Sequence, residues 1–213
     1  MPEKREKQAA WDGYGSIMVY LWLLRDTDGS SEMVVRSLAR DYANRTGMAT
    51  ASLSERWPGA MLRDTRGKPY FPDVAALSFS LSHSGACGAC AFAGKPLGLD
   101  IQMHGARNRE GIARRFFHPE EYAYLKKEAF RDFFQVWAAK ESYVKYTGDG
   151  LQGGLRHFAV TDMHGLKDTM DGLRFHHWAL HEAGADYSMC LCTAEEGEVS
   201  LQDIRKRGNA EGK

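Results

Sequence analysis

The sequence has no net charge and no long apolar run, and each absence excludes a class of protein. Its 28 basic and 28 acidic residues balance, so the broad positive field of a nucleic-acid-binding protein is missing. The longest apolar run, Ile17 to Leu24, is far shorter than the ~20 residues that cross a bilayer and suits a buried strand. The N-terminal segment Met-Pro-Glu-Lys-Arg-Glu-Lys lacks the apolar region and cleavage site of a signal peptide. We therefore expect a cytoplasmic protein that acts on neither nucleic acid nor membrane.

Cysteine is scarce, and its four copies are arranged in two close pairs. The pairs are Cys87 with Cys90, and Cys190 with Cys192. Both lie in runs of small or apolar residues typical of buried strands, where cysteine packs as a small hydrophobe. The Cys-x-Cys spacing of the second pair is unusual for a zinc site. We predict free, buried thiols, and the alternative is an interaction protein held together by zinc.

The order of predicted elements indicates two similar halves. Residues 16–93 show the order strand, helix, strand, strand, and residues 97–193 show strand, helices, strand, strand, strand. We predict an α+β fold with a pseudo-twofold arrangement, divided into residues 1–95 and 96–213. Each half would be a small, mainly antiparallel sheet packed on a long helix, with the active site in the cleft between them.

The hydrophobic periodicity assigns individual segments. Predicted strands are Ser16–Leu24, Leu77–His83, Cys87–Ala93, Leu97–Gln102, Leu155–Thr161, Leu173–Leu180 and Tyr187–Thr193. Predicted helices run from Ser30 or Ser31 to Asn44–Gly47, and over Arg109–Phe117, Pro119–Lys127 and Phe130–Thr147, the last ending at Gly148. The tail from Gly197 is expected to fray.

The last of these helices carries an acidic residue within its apolar stripe. At 100° per residue, Glu141 lies on the same side as Phe134, Trp137 and Val144. A buried carboxylate needs a cation or a polar cleft. The alternative is an exposed pair between Glu141 and Lys145, which would contribute only ~0.3 to 0.5 kcal/mol.

Three features require one explanation. They are the turn Gly67-Lys68-Pro69, the strand end Ser82-His83-Ser84, and Asp100 on a strand with Glu141 and Lys145 on the long helix. Asp100 shares its strand face with Gln102. Carboxylate oxygens are ligands that suit Mg²⁺, and Mg²⁺ with nearby Lys and His is suited to binding a diphosphate.

At these motifs the chain resembles the 4′-phosphopantetheinyl transferases, in particular the larger, two-half type similar to surfactin synthetase activating enzyme. The resemblance runs from about Gly67 to Leu151. It rests on Gly67-Lys-Pro69, Phe79-Ser-Leu-Ser-His-Ser84, Leu97-Gly-Leu-Asp-Ile101, Ile112-Ala-Arg-Arg-Phe-Phe117, Trp137-Ala-Ala-Lys-Glu-Ser142, Lys145 and Gly148-Asp-Gly-Leu151.

The resemblance implies a monomer that binds coenzyme A and Mg²⁺ between its halves. Such an enzyme moves the phosphopantetheine arm onto a serine of an acyl or peptidyl carrier protein and releases adenosine 3′,5′-bisphosphate. Asp100 and Glu141 would be Mg²⁺ ligands, and Glu141 would also take the proton of the serine hydroxyl, directly or through water. The motifs do not distinguish carriers of fatty acid, polyketide or peptide synthesis.

The same resemblance implies the residues that bind coenzyme A. Lys145 and His83 would hold the diphosphate and stabilise the leaving phosphate, Ser82 and His83 would reach the 3′-phosphate, and the Gly67-Lys68-Pro69 turn would lie along the adenine. For Lys140 two alternatives stay open, a phosphate ligand or an exposed side chain.

The chain departs from the family pattern at two positions. Gln102 stands where the family usually has Glu, so the amide would bind Mg²⁺ weakly or through water, leaving the charge to Asp100 and Glu141. Ser80 stands where the family has Asn. We expect activity to survive, and the alternative is a coenzyme A sensor of the same fold without transferase activity.

The sequence allows two alternative roles for each of two groups of basic residues. For the 3′-phosphate, the candidates are the segment Lys4-Arg-Glu-Lys7 and the pair Arg36 and Arg40, which could equally be surface charge. The Arg114-Arg-Phe-Phe117 cluster suits docking of an acidic carrier protein, and the alternative is two core Phe beside exposed Arg.

Overall fold

The alternating and helical patterns of the sequence form twelve strands and four helices in the described part of the chain. The computed structural model defines residues 16–26, 30–48, 57–106, 108–148 and 154–204. The basic segment 4–7 and residues 149–151 of the last motif lie outside these ranges. The helices are α1 (Ser31–Thr46), α2 (Arg109–Phe116), α3 (Pro119–Lys127) and α4 (Phe133–Thr147). The strands are β1 (Ser16–Leu23), β2 (Leu62–Arg63), β3 (Pro69–Tyr70), β4 (Ser78–Ser84), β5 (Cys87–Ala93), β6 (Leu97–Met103), β7 (Thr161–Asp162), β8 (Gly165–Leu166), β9 (Thr169–Met170), β10 (Leu173–Glu182), β11 (Ala185–Thr193) and β12 (Glu198–Asp203).

The first sheet has the strand order β12-β1-β5-β4. Strands β1, β5 and β4 are antiparallel, whereas β12 pairs with β1 in parallel, with Ser16 opposite Glu198. The expectation that the tail frays is therefore wrong for residues 198–203, because pairing with β1 satisfies their backbone. The division at residue 95 stays a prediction, and this sheet takes strands from both sides of it.

The second sheet has the order β6-β11-β10-β9 and is antiparallel throughout. Strand β6 lies at its edge, so alternate backbone N–H groups of β6 have no strand partner in the sheet. Two short hairpins, β2-β3 and β7-β8, complete the strands.

The two sheets pack face to face, and each carries helices on its outer side. Apolar side chains of β1 and β5 meet those of β6 and β11 between the sheets. Helix α1 covers the outer face of the first sheet, and α2, α3 and α4 cover that of the second. The predicted α+β fold of small, mainly antiparallel sheets on helices is confirmed. The pseudo-twofold relation stays a prediction. No helix within the described ranges is long and apolar enough to cross a membrane.

Helix α4 begins three residues later than the apolar stripe predicts. Ala129 and Phe130 have φ angles of 51° and 57°, so the chain makes a left-handed turn before the helix starts. The end was predicted correctly, because Gly148 takes a φ of 73° and its N–H bonds to the Val144 carbonyl.

The predicted strand Leu155–Thr161 is wrong. Its first part is a short 3₁₀ turn, Leu155–His157, and only Thr161 enters a strand. The N–H of Val160 bonds to the side chain of Glu121 at 2.8 Å, and this buried bond replaces the strand partner that the apolar pattern implied.

All four cysteines are free and buried, as predicted. They are distributed over three separate apolar clusters, and Cys87 and Cys90 lie in a different sheet from the other two. Burial raises the pKa of Cys90 and Cys190, and that of Cys192 to about 12, so these thiols stay protonated at neutral pH. The zinc-held alternative is therefore wrong.

Candidate active site

Gly98 brings α4 into direct contact with β6. A Cβ at this position would lie 2.0 Å from the Ser142 carbonyl oxygen and 2.4 Å from the Tyr146 nitrogen. Only glycine permits so close an approach of helix backbone to strand. The contact sets the last two turns of α4 over Asp100, which follows Gly98 on the same face of the strand.

Asp100 is held by three side chains. Its Oδ1 accepts from Ser82 Oγ at 2.8 Å and from Lys145 Nζ at 2.7 Å, and its Oδ2 accepts from Gln102 Nε2 at 2.8 Å. The residue is only 3% exposed. Lys145 also donates to the Leu99 carbonyl at 3.0 Å. Thus Lys145 pairs with the strand carboxylate, and the exposed Glu141–Lys145 pair is not the role of this lysine.

Glu141 lies close enough to Asp100 for the two carboxylates to interact. Burial, and then the negative charge of Asp100, raise the pKa of Glu141, while Lys145 opposes the shift. A bound cation would relieve this unfavourable effect of one carboxylate charge on the ionisation of Glu141.

Residues from both sides of the predicted division at residue 95 line one cleft of about 280 Å³. The Gly67-Lys68-Pro69 turn and Leu81 form one side, and Glu141 and Lys145 form the other. A second groove of about 350 Å³ adjoins it and shares Lys68 and Pro69. The cleft therefore brings together the Gly67-Lys68-Pro69 turn, Leu81 of the Phe79–Ser84 motif, and Glu141 with Lys145. His83 and Asp100 are not among the described residues that line it.

Lys68 lines the cleft but directs its ammonium group at the protein backbone. Nζ donates to the Lys145 carbonyl at 2.8 Å and to the Leu97 carbonyl at 3.4 Å. Burial lowers the pKa of Lys68, and Asp64 opposes this effect. The side chain thus ties the turn to the last turn of α4, where a cation also complements the helix dipole.

The donor set suits Mg²⁺ if Gln102 turns its amide. Asp100 and Glu141 supply charged oxygens, and the carboxylate of Asp100 keeps acceptor capacity beyond its three bonds. Gln102 now presents nitrogen to Asp100, and a half-turn of the amide would present Oε1. Within the described residues no group of three His, Cys, Asp or Glu side chains could hold a metal ion. At this site the third candidate ligand, Gln102, is an amide.

His83 and Ser82 lie on opposite faces of β4. His83 is exposed and follows Leu81, which lines the cleft, on the same face. Ser82 is buried at 6% exposure, and its hydroxyl is bonded to Asp100. Because the two side chains lie on opposite faces, this arrangement does not favour the predicted contact of both with one phosphate.

Lys140 fits neither alternative that the sequence left open. It is fully buried, with Nζ 2.7 Å from Glu121 Oε2 and 2.7 Å from the Phe158 carbonyl. The ring of Phe158 lies 4.0 Å from the same nitrogen. The exposed alternative is wrong, and a role as phosphate ligand would require this sealed contact to open.

Two cleft residues were missed by the sequence analysis. Arg63 and Arg66 flank the turn and line the same cleft as Glu141. Arg63 donates to the Gly67 carbonyl at 2.8 Å. Their position beside Gly67-Lys68-Pro69 was the available signal, since a turn that approaches a diphosphate favours neighbouring cations.

The remaining basic residues are largely engaged with the protein. Arg36 and Arg40 donate to the carbonyls of Pro58 and Trp57. Arg114 pairs with Glu110 and contacts Tyr122.

The two phenylalanines of the docking cluster divide between core and surface. Phe117 is buried, whereas Phe116 is 42% exposed with Arg115 over its ring at 5.1 Å. Of the proposed docking cluster, Arg114, Arg115 and Phe116 are exposed.

Comparison with known proteins assigns the class. Residues 96–192 match the model of the 4′-phosphopantetheinyl transferase superfamily. This match confirms the resemblance carried by the motifs.

Individual relatives match over different lengths of the chain. The chain is 34% identical over 135 residues to a 4′-phosphopantetheinyl transferase of Bacillus subtilis, covering 60% of each chain. It is 41% identical over 98 residues to 4′-phosphopantetheinyl transferase Sfp of Bacillus subtilis strain 168, covering 44% of this chain and 43% of the relative. A phosphopantetheinyl transferase of Thraustochytrium is 28% identical over 196 residues, covering 81% of this chain and 67% of the relative. The chain thus spans about 60% or less of the length of the first two of these relatives.

Proposed function

We propose that the protein transfers the 4′-phosphopantetheine arm of coenzyme A to a serine hydroxyl of an acyl or peptidyl carrier protein, with Mg²⁺ as cofactor. The observation that supports this most strongly is the cleft itself. It combines the Gly67-Lys68-Pro69 turn of one half with Glu141 and Lys145 of the other, directly beside the buried carboxylate of Asp100. The names of the relatives support the same activity.

In the proposed reaction the serine oxygen bonds to the phosphorus that bears the pantetheine arm. The bond from that phosphorus to the oxygen bridging the two phosphates breaks, and adenosine 3′,5′-bisphosphate leaves. Glu141 accepts the proton of the serine hydroxyl, a role favoured by its raised pKa because a base works best near the operating pH. Lys145, whose ammonium group borders the cleft, would stabilise charge on the diphosphate.

Asp100 and Glu141 would hold the Mg²⁺, with Gln102 as a neutral neighbour. When bound, the ion would neutralise charge on the diphosphate and on the leaving phosphate. We assign Arg63 and Arg66 to the remaining phosphate of coenzyme A, because both are exposed, both line the cleft, and each guanidinium carries several donors. The exposed Arg115 and Phe116 are the proposed contact for an acidic carrier.

The direct test is the mass of the carrier. Purified protein, coenzyme A, Mg²⁺ and a panel of apo carriers from fatty acid, polyketide and peptide synthesis are incubated, and each carrier is weighed. We expect a gain of one phosphopantetheine group for at least one carrier, and no gain with Glu141→Gln or without Mg²⁺. If the protein binds coenzyme A but modifies no carrier, the sensor alternative replaces the transferase.

A further inference from the structure

Three serines on one face of β4 meet the free edge of β6. The N–H of Leu99 bonds to Ser80 Oγ at 2.9 Å, that of Ile101 to Ser82 Oγ at 3.3 Å, and that of Met103 to Ser84 Oγ at 2.9 Å. Because β6 is an edge strand, these three N–H groups have no partner within their own sheet. The hydroxyls replace that partner and join the edges of the two sheets.

Ser82 differs from the other two because its hydroxyl makes a further bond. Its Oγ lies 2.8 Å from Asp100 Oδ1, an acceptor, so the single hydroxyl proton is donated to the carboxylate while the oxygen accepts from Ile101. Both side chains are buried, at 6% and 3% exposure. Bonds of this kind between buried groups fix the orientation of the acceptor.

We infer that Ser82 is a positioning residue for the cation site, and this inference rests on the proposed function. Its bond, with that of Lys145, occupies Oδ1 of Asp100 and leaves Oδ2 beside Gln102, the neutral member of the proposed ligand set. A phosphate oxygen would need the same hydroxyl proton. Ser82 therefore serves the carboxylate, and the contact with the 3′-phosphate that the family resemblance implies is made by other residues.

The neighbouring serines supply matched controls. Ser82→Ala removes one buried acceptor from a β6 N–H and the donor to Asp100, whereas Ser80→Ala removes only the acceptor. Binding of Mn²⁺ as a paramagnetic substitute for Mg²⁺ is measured by spin resonance, with saturating coenzyme A and no carrier, and with coenzyme A alone subtracted. We expect Ser82→Ala to weaken Mn²⁺ binding about tenfold or more, the range for residues that orient metal ligands. Ser80→Ala is expected to change it less than about twofold, while the two variants lose similar stability.

Kinetics give a second, independent comparison. In the carrier assay Ser82→Ala should raise the KM for Mg²⁺ and leave the KM for coenzyme A near that of Ser84→Ala, which a merely structural loss would not do. Ser84 also accepts from a β6 N–H, and it is not among the described residues that line the cleft. If Ser82→Ala fails to fold, Ser82→Cys takes its place, since a thiol of similar volume is a poor donor.

The possible failures are distinguishable. Equal Mn²⁺ binding by the Ser82 and Ser80 variants would overturn the positioning role and leave the transferase proposal standing. Absence of Mn²⁺ binding by the unaltered protein with coenzyme A would overturn the cation site, and the positioning role with it. A raised KM for coenzyme A in Ser82→Ala alone, with unchanged Mn²⁺ binding, would return Ser82 to the phosphate.

Discussion

Helix α4 carries two lysines that each pair with a carboxylate at 2.7 Å, and the two ion pairs differ in their access to solvent. The side chains of Lys140 and Glu121 are both 0% exposed. Those of Lys145 and Asp100 are 29% and 4% exposed, and Lys145 lines the cleft. The chemistry of the pairs is the same, but only one of them can meet a ligand.

The difference separates structural from functional charge on a single helix. Glu121 also accepts from the N–H groups of His118 and Val160, so the sealed pair connects α3, α4 and the segment after the 3₁₀ turn. The open pair, Lys145 and Asp100, connects α4 to the edge of β6. Beside it lies a second carboxylate, Glu141, whose pKa is raised by burial and by the charge of Asp100. We therefore expect damage to the first pair to lower stability and damage to the second to lower activity.

The largest effect is expected when the sealed pair is broken. Lys140→Ala leaves the carboxylate of Glu121 buried without its cation, and such a change costs about 3–5 kcal/mol. The free energy of unfolding is measured by urea denaturation. The control is the double variant Lys140→Met with Glu121→Gln, which keeps an acceptor for the two N–H groups and should recover much of the loss. A loss below about 1 kcal/mol in the single variant would mean that the pair does not hold these elements together.

Breaking the open pair of Lys145 and Asp100 should lower activity more than stability. Lys145→Ala is expected to lower the transfer rate about a hundredfold, equivalent to about 2.7 kcal/mol of transition-state stabilisation. Its stability should fall by only about 1 kcal/mol, because Lys145 is 29% exposed and water can replace its ammonium group beside Asp100. Rates come from carrier mass spectra and stabilities from urea titrations, with Lys145→Arg as the variant that retains the charge. A rate within threefold of the unaltered protein would remove Lys145 from the site.

The sequence predicts this helix, and the family resemblance assigns Lys145 to the diphosphate, but the sequence leaves the position of Lys140 open. Lys140 and Lys145 are five residues apart, about 140° around the helix, and each follows a pattern compatible with a ligand. What decides between them is Glu121, nineteen residues before Lys140 on another helix, and no local periodicity reveals such a contact.

Contacts between residues far apart in the sequence also explain the errors in the fold prediction. Strand β12 was missed because its partner β1 lies at the other end of the described chain. The strand expected at Leu155–Thr161 failed because a buried side chain, Glu121, took the place of a strand neighbour. In contrast, the serine face of β4 and the shared face of Asp100 and Gln102 were predicted correctly, since the two-residue period of a strand determines them locally.

A smaller change in stability is expected when pH is varied so that Glu141, beside the open pair, titrates. The pKa of Glu141 is raised above its ordinary 4.5, so the folded protein holds this proton more tightly than the unfolded chain. The stabilising contribution is complete below the ordinary pKa and is lost as pH rises through the raised value. Activity has the opposite sign, because only ionised Glu141 accepts a proton or binds a cation.

The measurement compares the unaltered protein with Glu141→Gln, without metal, by urea denaturation at pH values from below 4.5 upward through the raised pKa of Glu141. The stability of the unaltered protein relative to the variant should decline as pH rises, while its transfer rate increases over the same interval. A stability difference that does not change with pH would mean that Glu141 titrates as it does in the unfolded chain.

The smallest effect is expected for the cations at the mouth of the cleft, which are less buried than either pair. Arg66→Ala and Arg63→Ala should each raise the KM for coenzyme A about three- to tenfold with little change in kcat, because an exposed cation contributes to binding a phosphate in the ground and transition states alike. The difference should shrink at high salt, since exposed charges are screened. The control is Arg131→Ala, which removes an exposed arginine paired with Glu128. If the control and the two cleft variants give the same KM for coenzyme A, Arg63 and Arg66 do not hold its phosphates. The open pair and the Gly67-Lys68-Pro69 turn then hold them, and the open pair determines binding as well as catalysis.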